Sequence, residues 1–145
     1  MNESRDYPKH PICGVGVVVF NNQNVLLIRR AKPPRQGHWS IPGGKQQLGE
    51  TLQEAAHREV QEETGIVLGQ LTLVDVVDSI IKDTEQKIQY HYSLIDWMGE
   101  YKSGTLQAAD DAEEAKWIDI SVLPTHGFWD KTLEIIQKAN KMRQK

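Results

Sequence analysis

The stretch GGKQQLGETLQEAAHREVQEETGI, Gly43 to Ile66, holds the best-defined helix of the chain and an arrangement of charge that a plain surface helix does not need. Thr51-Leu52-Gln53-Glu54 has the capping-box pattern, and Gly65 stands where a C′ glycine ends a helix. At about 100° per residue, Leu52, Ala55, Ala56 and Val60 share one arc, the face that should meet a sheet. Gln53, Glu54, His57, Gln61 and Thr64 cover the opposite, solvent side. Glu59 and Glu63 break this pattern: they project between Ala55 and Ala56, with Glu62 at the edge of the same face. Like charges four residues apart destabilise an isolated helix by about 0.2–0.5 kcal/mol. Acidic groups also oppose the dipole of a helix C-terminus. Inward carboxylates cost more still unless a cation meets them. A solvated charge run does not need this geometry, whereas an oxygen-only site for a hard cation, Mg²⁺ or Mn²⁺, does.

The rest of the chain sets bounds on that site. With 145 residues the simplest organisation is one domain spanning 1–145, long enough to bury a core. The net charge of -3 and the lack of a basic stripe argue against nucleic acid or an anionic membrane as partner. Mild acidity leaves room for a small phosphorylated ligand, which needs only local positive charge or a metal. No apolar run reaches the ~18 residues of a membrane span. The polar start lacks the apolar core of a signal peptide. The single cysteine, Cys13, forbids an internal disulfide, so a reducing, cytoplasmic setting is expected.

Outward from the helix, the pattern predicts a sheet. Ile12–Phe20 and Val25–Arg30 flank the turn-rich NNQN and read as a β-hairpin. Residues 1–11 form a polar, proline-punctuated arm expected to be loosely ordered. Ala31–Gly37 is a loop because its paired prolines exclude helix and central strand, and HWSIP is a short strand running into a Gly43-Gly44 turn. Leu71–Ile81, Gln86–Glu100 and Glu114–Ile120 supply further strands. Leu133, Ile136 and Ala139 have helical spacing, so Phe128–Met142 should form a second helix. The class is α/β.

The central stretch resembles the Nudix hydrolases, whose signature is G-x5-E-x7-R-E-U-x-E-E-x-G-U with U aliphatic. Gly44, Glu50, Arg58, Glu59, Val60, Glu62, Glu63, Gly65 and Ile66 fill every defined position. The resemblance implies a Nudix-type α/β/α sandwich with a mixed β-sheet, and hydrolysis of a pyrophosphate bond in a nucleoside diphosphate derivative. By the same resemblance Glu59 and Glu63 are the principal metal ligands, Glu62 a further one, and Gly43 adds a backbone carbonyl. Arg58 orients the carboxylates, and Glu50 supports the loop or reaches a second metal through water. The general base comes either from a box glutamate, Glu62, or from the later acidic run, where Asp111 is the first choice. Asp110, Glu113 and Glu114 read equally as a solvated loop.

Arg29 and Arg30 end a strand, so one of them should face phosphates and the other point away. Trp39, Tyr90 and Tyr92 are candidates to stack on a base, and Gly44 to let substrate approach. RRAKPPRQGHWSIPGGK, YHYSLIDW and DDAEEAKWIDI resemble an ADP-ribose pyrophosphatase-like subgroup. That implies cleavage of ADP-ribose to AMP and ribose 5-phosphate. The alternatives are a MutT-like nucleoside triphosphate pyrophosphohydrolase and a non-catalytic nucleotide or ADP-ribose sensor. The family also includes homodimers.

Overall fold

The computed structural model describes residues 5–123, 128 and 130–144. Among the described residues, eight strands and two α-helices follow one another along the chain. They are β1 (Ile12–Asn21), β2 (Asn24–Arg30), β3 (Trp39–Ser40), β4 (Gly43–Lys45), α1 (Leu52–Thr64), β5 (Val67–Leu68), β6 (Thr72–Lys82), β7 (Ile88–Ser103), β8 (Ala112–Asp119) and α2 (Asp130–Arg143).

The valine run of β1 makes it the central strand. Val17, Val18 and Val19 are fully buried, which an alternating half-exposed strand would not allow. β1 and β2 turn back through Asn22, whose positive φ of 57° suits asparagine in a tight hairpin. On one flank β1 pairs antiparallel with β4 and with the start of β2, and on the other it pairs parallel with β7 from Ile12 to Phe20. β6 lies antiparallel beyond β7, and β8 beyond β2. One parallel pair among antiparallel ones makes the sheet mixed.

The two faces of the sheet are covered by different helices. Val15, Val17 and Val19 pack with Ala55, Ala56 and Val60 of α1. Val18, Phe20, Val25 and Leu27 pack with Ile135, Ile136 and Ala139 of α2. Full burial of each such aliphatic side chain contributes about 1.5–3 kcal/mol, so the sheet anchors both layers. The expected α/β/α sandwich is present.

Three local expectations change. Gly43 and Gly44 form a strand, not a turn, and packing accounts for both glycines. A Cβ on Gly43 would lie 2.1 Å from the Val15 carbonyl oxygen, and one on Gly44 2.4 Å from the Glu59 carboxyl. Thr64 is buried, not solvent-facing, because its hydroxyl donates to the Val60 carbonyl at 2.6 Å and accepts from the Ile66 N–H. Within the N-terminal arm, Tyr7 donates its N–H to the Gln89 carbonyl and its hydroxyl to Asp83 at 2.7 Å. Those bonds tie the described part of the arm to the β6–β7 turn, and residues 1–4 lie outside the described set.

Candidate active site

Helix α1 delivers its carboxylates through well-made ends. Thr51 and Glu54 satisfy each other's backbone N–H groups at 3.1 and 2.9 Å. At the other end Gly65 adopts φ 76° and donates to Gln61. Between the caps, Arg58 is the hub of the acidic cluster. Its Nε and one terminal nitrogen bond both oxygens of Glu50 at 2.7 and 2.8 Å, a bidentate pair. The other terminal nitrogen reaches Glu59 at 2.8 Å and Glu62 at 3.1 Å. A further bond to the Lys45 carbonyl ties the hub to β4. Glu50 also accepts from the Gln47 N–H, so its visible work is to hold the loop before α1.

Glu63 has no such cation in contact. It is 2% exposed and accepts one backbone N–H, from Gly43 at 2.8 Å. Burial pushes its carboxyl up to about 8, with the negative charges of Glu59 and Asp111 adding to the effect. Burial also raises Glu59, partly offset by Arg58. Glu63 and the half-buried Glu59, one helical turn apart and near enough for the charge of Glu59 to raise Glu63, form the kind of all-oxygen donor set that a hard divalent cation relieves. Among the described residues the side chains do not already converge as a metal-holding group of three or more. Glu59 is drawn to Arg58, while Glu62 is 42% exposed and paired with the same arginine. The donors suit a cation chemically, and seating one requires small rotations of side chains that are now paired elsewhere.

The loop after β7 brings in the remaining acid. Gln107 and Ala109 donate their N–H groups to the last carbonyls of α1, those of Thr64 and Glu63, both at 3.0 Å. That docking carries Asp111 to the rim beside Glu63, where it pairs with Lys32 at 2.9 Å. Arg30 is held by a bond from its Nε to the Pro34 carbonyl at 2.8 Å.

A cavity of about 120 Å³, room for an aromatic ring and not just for a water, joins these groups. Glu63, Asp111, Arg30 and Lys32 line its charged end, and Trp39, Ile41, Leu94 and Ile135 its apolar end. Of the two arginines, Arg30 faces the cavity. Arg29 points away to Glu113 and Glu114 at 3.3 and 2.6 Å, as strand alternation requires of one of them. Those two acids are thereby accounted for as ion-pair partners on β8.

Trp39 lines the cavity with the Lys116 ammonium 4.1 Å from its ring centre. Tyr90 does not line it, since it sits near the start of β7 beside the arm, close enough to Asp6 to feel its charge. Tyr92, one inward position further along, takes that place. Gly43 and Gly44 line the cavity as well. Sequence reasoning missed Asp96, Gly14 and Gly16, which form part of the cavity wall. The signal for Asp96 was the one already used on α1, an acid at an inward position of an apolar element, here the same-face series Tyr92, Leu94, Asp96.

The NUDIX domain family matches residues 11–138 of the chain. The chain is 34% identical over 119 residues to an ADP-ribose pyrophosphatase of Methanocaldococcus jannaschii, covering 82% of this chain and 68% of that protein. It is 30% identical over 139 residues to a human (Homo sapiens) 8-oxo-dGDP phosphatase, covering 92% of this chain but only 40% of that protein. Among solved structures, a MutT NUDIX hydrolase from Burkholderia pseudomallei superposes with a TM-score of 0.77 at 28% identity, covering 90% of this chain and 98% of that one.

Proposed function

The chain belongs to the Nudix family, and on that premise we propose that it hydrolyses the pyrophosphate bond of ADP-ribose, giving AMP and ribose 5-phosphate, with Mg²⁺ as the working cation and Mn²⁺ as a substitute. The observation that carries the reading is the buried Glu63 at the charged end of a ring-sized cavity, with the half-buried Glu59 one turn before it on α1 and held by Arg58. The choice of ADP-ribose is supported by the 34% identity to the archaeal pyrophosphatase.

Glu59 and Glu63, with Glu62 and the Gly43 carbonyl, would hold a divalent cation, which when bound would supply charge neutralisation to the diphosphate and activate the attacking water. The chain's own groups do the rest. Arg58 fixes Glu59 and Glu62 through its three-way ion pairs, and Glu50 in turn fixes Arg58. Arg30 neutralises diphosphate oxygens as the reacting phosphorus gains charge. Asp111 accepts the proton of the attacking water, the new P–O bond forms, and the bridging P–O bond breaks with its electron pair on the departing phosphate. Trp39 offers a face on which a base can stack.

A panel of ADP-ribose, nucleoside triphosphates and oxidised purine nucleotides, assayed with Mg²⁺ and with Mn²⁺ and resolved by chromatography, tests this. AMP and ribose 5-phosphate from ADP-ribose are expected. Pyrophosphate from triphosphates, with ADP-ribose untouched, would instead establish the MutT-like activity, a reading supported by the likeness to the Burkholderia protein. Tight binding of ADP-ribose without turnover in either metal would make the protein a sensor.

A further inference from the structure

The carboxyl of Asp96 belongs to none of the parts used above. It comes from β7, and Gly16 links it to the metal end of the cavity, pairing with Gly43 on one flank and with Asp96 on the other. Two strand spacings of ~4.8 Å therefore separate Gly43 from Asp96, about 10 Å across the sheet. Asp96 is 6% exposed, and its remaining opening is into the cavity. Among the described residues no N–H or O–H donates to it and no cation pairs with it; the one charge it feels is that of Asp75, of the same sign. Gly16 leaves the space its carboxyl uses, since a Cβ there would lie 2.5 Å from Oδ1 and 3.0 Å from Ile41.

A structural role would give this carboxyl an internal partner, because a buried polar group without one is costly. The cavity wall on this side carries the apolar Ile41, Leu94, Val77 and Ile135, with Trp39, and among the polar residues that share it, Ser79, Lys131 and Thr132, none bonds Asp96. A second cation would want several oxygens around it, and only one carboxylate faces this end. A flat ring with an N–H-bearing edge satisfies both the apolar walls and the single acid. About 10 Å is also of the order of the reach from a nucleoside's 5′ oxygen to the far edge of its base.

We propose that Asp96 is the specificity determinant of this site, taking the amino-bearing edge of a purine whose ring lies in the apolar end of the cavity. The assignment rests on the preceding reading that the charged end holds the diphosphate of a nucleotide. A carboxyl in this position matches either adenine, by donating to N1 and accepting from the amino group, or guanine, by accepting from N1–H and the 2-amino group. An unsubstituted purine lacks the amino group and offers only N1, so the carboxyl can make one such bond to it and not two.

The test compares kcat/KM for ADP-ribose with that for its analogue carrying unsubstituted purine, and for dGTP with that for the 2′-deoxynucleoside triphosphate of unsubstituted purine, in the wild type, Asp96→Leu and Asp96→Ala. The wild type is expected to favour the amino-bearing base in its working pair by about tenfold or more, since a site built for a polar edge rejects its absence strongly. Both variants should bring that ratio to within about threefold, mainly by raising KM for the amino-bearing substrate. A thermal melt confirms that each variant is folded, and replacing an unpaired buried acid with an apolar group should not weaken the fold.

If ADP-ribose is not cleaved while the triphosphates are, the substrate reading fails and the triphosphate pair, dGTP against its unsubstituted-purine counterpart, carries the test of Asp96. A wild type that treats both bases of its working pair alike overturns the assignment. So does a preference that survives in both variants.

Discussion

Glu63 and Arg58 show how two neighbouring charged residues on one helix can do opposite work. Glu63 is buried with one backbone donor and held protonated up to about 8, so its charged form is available only when something positive arrives. Glu63→Gln keeps the shape and the bond from Gly43 but removes that charge. Turnover with Mg²⁺ should fall beyond the roughly 100-fold that outer-shell changes cause, and near-normal turnover in a steady-state assay would remove Glu63 from the metal set. Arg58 is different: its value is geometric, two parallel bonds to Glu50 and a fork to Glu59 and Glu62. Arg58→Lys preserves charge and loses the fork, so activity should drop by about 10–100-fold while the fold persists by circular dichroism. Glu59 and Glu63 were legible from a helical wheel because the helix is regular there. The orienting role of Arg58 was expected only through the family resemblance, and its ties to Glu50 and Lys45 are not on the wheel, because they reach it from a loop and strand whose path no local pattern fixes.

At the scale of elements, α1 is both a scaffold and a hinge-pin for its neighbours, and its two ends are separable. The Thr51 cap closes the start, far from the chemistry, and Thr51→Ala should cost about 1 kcal/mol in chemical denaturation with little change in turnover. Gly65 closes the other end, at a left-handed φ and with Thr105 so near that a Cβ would lie 2.6 Å from its carbonyl oxygen. Gly65→Ala should cost more than about 1 kcal/mol. It should also lower turnover, because the 105–109 segment that it displaces positions Asp111. Equal activity losses for the two variants at matched stability would argue against that coupling. Both caps were plain in the sequence, since capping uses residues within a few positions of each other. The burial of Thr64 and the strand at Gly43-Gly44 were not. Each depends on a segment distant in the chain, the 105–109 loop in one case and β1 in the other. The placement of Arg30 over Arg29 shows the same limit, since alternation says that sides differ but the partners across the sheet decide which side is the cavity; Tyr90 and Tyr92 share a face, and it is position along β7 that separates them.

For the molecule as a whole, the sandwich was readable as a class because each strand and helix carries its own periodicity. The parallel pairing of β1 with β7 was not, since it joins residues about 80 positions apart, such as Gly16 and Asp96. That pairing assembles the cavity, bringing its charged end at Glu63 and the carboxyl of Asp96 to opposite sides of one central strand, and it has an energetic consequence. Two acids of the cavity, Glu63 and Asp96, are raised by burial to about 8 and about 7. A carboxyl whose folded value lies above its unfolded one stabilises the fold while protonated, and that contribution is lost as pH rises through the folded value. In EDTA, stability should therefore be highest near pH 4–5 and decline by a few kcal/mol, as an order of magnitude, as pH rises from there to about 8. A cation that binds only the folded, ionised cluster opposes this decline, by about 2.7 kcal/mol when present at 100 times its Kd. Adding Mg²⁺ should thus raise Tm markedly at pH 8.5 and little at pH 5.5, where protons compete for Glu63. Glu63→Gln should flatten the decline in EDTA and lose most of the response to Mg²⁺ at pH 8.5. Asp96→Leu should flatten it in part while keeping the metal response, because its carboxyl lies at the other end of the cavity. Melting curves that rise with Mg²⁺ equally at both pH values, or equally in the Glu63 variant, would place the cation somewhere other than this helix.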